Sequence, residues 1–241
     1  MKLYIVGIGP GGADEITPRA AKAIAKSDVI AGYTVYIELL AGQAEGKKLL
    51  ATPMKQETER CRAALDEAEA GHTVALVCSG DAGVYGMAGL AYELLGDRKN
   101  VEIEVIPGIT AACSGAALLG APLVHDFAVI SLSDLLTPYE LIEKRLRLAA
   151  EGDFVICLYN PSSKKRSDYL KKACDIILKS RGENTVCGVA KNIGRSGESG
   201  EVMTLAELKS TTVDMFSTVF IGNSSTKNIG GKMVTPRGYK F

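Results

Sequence analysis

Residues that could do chemistry gather in five short stretches of this chain. The first is VGIGPGG, residues 6–12. Gly7, Gly9 and Gly12 satisfy G-x-G-x-x-G, the spacing of a turn that holds a dinucleotide pyrophosphate. That chemistry needs a helix opening inside the glycine turn, so that its first N–H groups meet the phosphates. Here the helix-start signal, Thr17-Pro18, comes five positions after Gly12. The second strand ends Ala31-Gly32-Tyr33, with no carboxylate for a ribose, and Asp28 precedes that strand at the wrong end. Pro10 removes a backbone donor that a phosphate would use. The loop therefore reads as a tight strand-exit turn. The other stretches are CSGDAGVYGMAG (78–89), VIPGITAACSGAALLGAPL (105–123), CLYNPSSKKR (157–166) and GVAKNIGRSGE (188–198). The one acid–base pair is His125-Asp126, and histidine suits proton transfer near neutral pH. A lone histidine is more often structural.

These stretches need elements to position them, and apolar runs alternate with amphipathic ones. Strands are expected at 3–8, 29–31, 73–78, 101–106, 127–132, 154–158, 185–190 and 218–221. Helices are expected at 18–26, capped by Thr17 with Pro18 in its first position, and at 58–70, 84–95, 110–119, 139–150 and 164–180. Leu65 and Ala68 lie on the apolar side of the second helix, which Gly71 stops. TPYE after Leu136 reads as a further cap with proline first. Strand–helix alternation implies an α/β architecture with mostly parallel sheets. GAPL, residues 120–123, is the candidate hinge, dividing an N-terminal α/β lobe (1–119) from a C-terminal one (120–241). The tail from Asn228 reads as loop with one short edge element. All five stretches fall at carboxyl ends of expected strands, where open α/β sheets place ligands.

Composition narrows the function classes. The 241 residues are 46% hydrophobic, enough for a sizeable core. Twenty-eight Lys and Arg balance twenty-eight Asp and Glu, without the basic excess of a nucleic-acid binder. Six cysteines show no C-x-x-C spacing, and His72 and His125 are the two histidines, so no zinc site is expected. Cys78, Cys157 and Cys187 lie in apolar runs, a pattern suited to a reducing cytoplasm. The N-terminus runs into a strand with no signal peptide, and no apolar run would span a bilayer.

Taken together, GxGPG, GD-x-x-x-YG and PG-x-(S/T)-A in this order resemble the tetrapyrrole methylase superfamily across essentially the whole chain. GAPLVHDFAVISLSDLLTPYE and LYNPSSKKR look most like its precorrin-3B / cobalt-factor III C17-methyltransferase branch. The resemblance implies two α/β lobes with a trough between them, usually in a homodimer. It implies S-adenosyl-L-methionine at the lobe junction, a tetrapyrrole in the trough, and C17 methylation with ring contraction in cobalamin biosynthesis.

The same resemblance implies roles for residues. Pro10, Ser79, Gly80, Val84, Thr110 and Ala111 carry over as cofactor-binding positions, and Ala190 as a backbone contact beside the adenine. Asp81 would pair with the methionine ammonium, against the alternative of a turn cap. Asn160 carries over too, although relatives often have methionine there. Residues 160–200 hold nine Lys or Arg against four Asp or Glu, a balance that would attract a polycarboxylate macrocycle. Lys191 and Arg195, on a glycine-rich loop, are the expected substrate contacts. Ring contraction needs proton movement, for which His125 and Asp126 are the catalytic candidates. The alternatives are a sibling methylase of the precorrin or sirohaem type, a diphthine-synthase-like enzyme with a protein substrate, or a nucleotide-binding module.

Overall fold

The computed structural model describes residues 1–163 and 166–240, which fall into two compact units, Met1–Thr110 and Ala111–Phe241. The first unit runs β1 (Lys2–Gly7), α1 (Pro18–Lys26), β2 (Val29–Tyr33), α2 (Thr34–Glu38), β3 (Lys48–Thr52), α3 (Glu57–Glu69), β4 (Val74–Cys78), α4 (Ala88–Leu95) and β5 (Glu102–Ile106). Its sheet has the order β3-β2-β4-β1-β5, and every pair is parallel. Alternate side chains of each strand serve opposite faces. Leu3, Ile5, Val74, Leu76 and Cys78 pack with α3 and α4, whereas Val6, Ala75 and Val77 pack with α1 and α2. A sheet covered on both faces explains why these strands read as continuous apolar runs. After β1 the chain moves one way across the sheet, and after β4 it moves the other way. Right-handed crossovers send the two connections to opposite faces. The exits of neighbouring β1 and β4 thus form the switch point of the sheet, the customary ligand position.

Local chemistry fixes the first unit's helices. Thr17 caps α1, its Oγ1 accepting from the Ala20 N–H at 3.1 Å, with Pro18 first as expected. Gly71 follows α3 with φ of 109°, a conformation open to glycine. The helix expected at 84–95 begins instead at Ala88, for reasons that belong to the site below.

The second unit runs α5 (Ala111–Leu119), β6 (Gly120–Ala121), β7 (Phe127–Ser131), α6 (Tyr139–Glu151), β8 (Val155–Tyr159), α7 (Tyr169–Ile177), β9 (Val186–Lys191), β10 (Ser199–Thr204), α8 (Leu205–Ser210), β11 (Ser217–Ile221), β12 (Lys227–Ile229) and β13 (Lys232–Val234). Its main sheet has the order β10-β9-β11-β8-β7. The expected parallel pairing holds for β7–β8 alone; β8–β11, β11–β9 and β9–β10 are antiparallel. The reason is local. Residues 192–198 are too few for a crossover, so β10 must fold back on β9. Helices α6, α7 and α8 cover one face, and α5 lies on the other with Phe220, Ala190 and Met233. Because α5 packs there, it counts with the second unit, and the compact division falls before it and not at Gly120.

The segment read as a hinge forms β6, which pairs in parallel with β13. The tail carries two strands, not one, and they form a hairpin. Helix α6 starts at Tyr139 with Pro138 as its cap residue, so Thr137 is not the cap. Helix α7 is shorter than the expected 164–180, and Lys164 and Lys165 lie outside the described residues.

Candidate functional site

The exits of β1, β4 and β5 are laced together by backbone. Gly9 and Gly80 form an antiparallel bridge, with N–H···O distances of 3.1 and 2.7 Å, and the Ile8 N–H reaches Cys78 O at 2.9 Å. Three glycines make this approach possible. A Cβ on Gly7 would stand 2.6 Å from Gly108 N and 2.7 Å from Gly80 O, and a Cβ on Gly108 would stand 2.2 Å from Gly80 O. No side chain fits at either position. The glycine-rich loop is thus a strand-exit turn locked to its neighbours, and α1 starts well beyond it at Pro18.

Asp81 is the polar centre of this arrangement. Its Oδ1 accepts from the N–H groups of Gly83 at 2.7 Å and Val84 at 3.1 Å, and its Oδ2 accepts from Gly108 N–H at 2.9 Å. Both oxygens accept from backbone, so the carboxylate ties the β4 exit to the β5 exit. This is the turn-cap alternative, extended across two strands. The tight turn delays the start of the expected helix to Ala88. Tyr85 has φ of +53°, and a Cβ on Gly86 would lie 2.3 Å from Ala82 O. Of the residues carried over as cofactor-binding, Pro10 and Gly80 are buried here, Ser79 and Thr110 half-buried, and Val84 exposed. Ala111 opens α5.

Sequence reasoning missed one buried cation beneath this edge. Arg60 of α3 is 4% exposed. Its Nε donates to Thr52 Oγ1 at 2.7 Å, Nη2 to Pro53 O at 2.9 Å and Nη1 to Met87 Sδ at 3.4 Å. Among the described residues it has no ion-pair partner. The signal was an arginine in the second turn of an amphipathic helix, beside the buried Cys61.

In the second unit, β7, β8 and β9 run in one direction, so their exits share an edge. Asn160 follows β8 in the left-handed region, φ +52°, and its Nδ2 donates to Ser131 Oγ at 2.9 Å. The Tyr159 hydroxyl accepts from the Ala112 N–H at 2.6 Å, fixing the start of α5. Asp134 accepts from the Tyr169 hydroxyl at 2.6 Å and pairs with Arg166 at 3.5 Å. The Tyr169 hydrogen bond holds its carboxyl below the usual carboxylate range. Lys191 pairs with Asp214 at 2.9 Å, and the Arg195 guanidinium stacks over Phe216 at 5.6 Å.

Ala190, His125 and Asp126 lie in different surroundings. Ala190 is buried, with β10 and β11 on either side and α5 packed on its face, one residue before Lys191. His125 and Asp126 precede β7, at the edge opposite to Asn160, Lys191 and Arg195, about 20 Å away along extended strand. They line a separate cavity of about 300 Å³ with Asp153, Phe154, Asn223 and Ser225. The structure does not join them to the other second-unit candidates.

The fold of this chain is shared with known proteins. The chain belongs to the family of Tetrapyrrole (Corrin/Porphyrin) Methylases, whose profile matches residues 2–209. It is 48% identical over 238 residues to the probable cobalt-factor III C(17)-methyltransferase of Salmonella typhimurium, covering 98% of this chain and 99% of that one. Its fold matches the crystal structure of the methyltransferase CobJ, with a TM-score of 0.91 and 36% identity over 97% and 99% of the two chains. Uroporphyrin-III C-methyl transferase from Thermus thermophilus, solved with S-adenyl homocysteine, shares the fold at a TM-score of 0.74 and 23% identity, over 92% and 97% of the chains.

Proposed function

We propose that this chain is an S-adenosylmethionine-dependent methyltransferase that methylates cobalt-factor III, or precorrin-3B, at C17 in cobalamin biosynthesis, with contraction of the ring. The observation that carries this reading is the 48% identity with the Salmonella protein along the length of both chains.

The residues at the exits of β1, β4 and β5 fit the methyl donor. The surface there is backbone and small side chains, and a Cβ on Gly83 would meet only Asp81 Oδ1, at 3.4 Å. When bound, S-adenosylmethionine supplies an electrophilic methyl on a positively charged sulfur. The protein's part is alignment. The Gly9–Gly80 bridge and Asp81 fix these loops from within the protein, and such prior positioning can lower a displacement barrier by about 7–11 kcal/mol. Arg166, Lys191 and Arg195 stand at one edge of the second sheet and suit a macrocycle bearing carboxylates. We also read the chain as a homodimer of the cytoplasm, where its six free thiols would stay reduced.

The test is incubation with cobalt-factor III and methyl-labelled S-adenosylmethionine. A product heavier by one methyl group, labelled at C17, is expected. Absence of labelled product from both cobalt-factor III and precorrin-3B would refute the substrate. Light scattering on the eluting peak at twice the chain mass is expected for the dimer.

A further inference from the structure

Tyr85 is the residue of the first unit whose conformation asks most for a reason. It lies in the loop between β4 and α4 with φ of +53°, and it is 56% exposed. A left-handed backbone is unfavourable for a bulky side chain, because Cβ crowds the following carbonyl. Gly83 and Gly86 stand nearby in the same loop, yet the left-handed position is given to tyrosine.

The surroundings enforce the conformation. Asp81 Oδ1 draws in the N–H groups of Gly83 and Val84 just before it. Just after it, Gly86 has no room for a side chain, and the Ala88 N–H closes onto Ala82 O at 3.0 Å. Arg60, held by Thr52 and Pro53, sits beneath Met87. Strain maintained by such restraint collects at ligand contacts. Here it carries a large aromatic ring outward at the switch point of the sheet, beside the exposed Val84.

We propose that Tyr85 is a substrate-binding residue, its ring the surface on which the flat conjugated macrocycle rests. This rests on the proposed tetrapyrrole substrate. An aromatic face is matched by a planar π-system, and offset stacking adds to area burial. The methyl donor also carries an aromatic base, so the test separates the two ligands.

The experiment uses the full chain and the variants Tyr85→Ala, Tyr85→Gly and Tyr85→Phe. Cobalt-factor III binding is followed by absorbance titration, S-adenosylhomocysteine binding by calorimetry, and unfolding by thermal scan. Both Ala and Gly are expected to weaken tetrapyrrole binding about tenfold. Phe should stay within about twofold of wild type, and the S-adenosylhomocysteine affinity should stay within about twofold in all three. The Gly variant should melt about 2–4 °C above the Ala variant, because both lose the ring and only glycine relieves the backbone. Equal losses for both ligands, or unchanged tetrapyrrole affinity in Ala and Gly, overturn the inference. A wild-type protein that binds S-adenosylhomocysteine but no tetrapyrrole overturns the proposed substrate and this inference together.

Discussion

Replacing Asp81 by Asn tests the tie between the strand exits. The carboxylate accepts three backbone N–H groups, two on Oδ1 and one on Oδ2. An amide has one acceptor oxygen and one donor nitrogen. Placed with its oxygen toward Gly83 and Val84, it turns an NH2 group on the Gly108 N–H. Flipped, it turns that group on the other two. Either way a charge-assisted hydrogen bond is lost and a donor faces a donor. Such a bond is worth about 1.5–3 kcal/mol. At about 2–4 °C per kcal/mol for a chain of this size, the melting temperature should fall by about 3–12 °C. Scanning calorimetry at neutral pH measures it. An Asp81→Asn protein melting within about 1 °C of wild type would refute the reasoning.

The other expectations can be checked alongside. Gly108→Ala places a methyl group 2.2 Å from Gly80 O; since only backbone could yield, stability should drop by about 1–3 kcal/mol and S-adenosylhomocysteine affinity should fall at least about tenfold, and wild-type calorimetry in both respects would contradict the three-glycine contact. His125→Ala should leave turnover within about twofold of wild type, as expected for a residue at the edge of its sheet away from Asn160, Lys191 and Arg195; a tenfold loss of kcat would place it in the mechanism. In the folded protein only the exposed Cys113 should react rapidly with a thiol reagent. Burial pushes the Cys78 thiol up to about 11 and the Cys61 and Cys174 thiols up to about 12, and raises Cys157 and Cys187 as well. These stay protonated at pH 8, and a second fast thiol would show that one of the two cores opens.

Legibility in the sequence followed the strength of local signals. Thr17-Pro18 marked the start of α1 to the residue, because cap and proline act within one turn. β4 was plain because all its residues are buried. β3 and β10 went unread: each lies at the edge of a sheet, has at least half of its residues exposed, and so lacks an apolar pattern. Helix α8 announced itself through Thr204 and Glu207, whose side chains and backbones form a capping box. That signal was present and unused. At the site, glycine spacing pointed to the right loops. It could not disclose that Gly7, Gly80 and Gly108 touch one another, since the contact joins residues a hundred positions apart. The role of Asp81 as a tie and the burial of Arg60 are likewise long-range facts. His125 shows the converse: its residue type suggested proton transfer, but only strand direction disclosed that it lies at the other edge of the sheet from Asn160, Lys191 and Arg195.

The pairing of β13 with β6 bears on how the protein is made. Met233 lies opposite Gly120, and its side chain fills the space beneath α5 with Leu119 and Phe220. That face of the second unit stays unsealed until residue 234 has left the ribosome. The first unit, whose strands are all in place by Ile106, has no such delay. Synthesis at about 5–20 residues per second leaves an interval of several seconds in which α5 is present without its final cover. During that interval the nascent second unit is the part of the chain most in need of a chaperone.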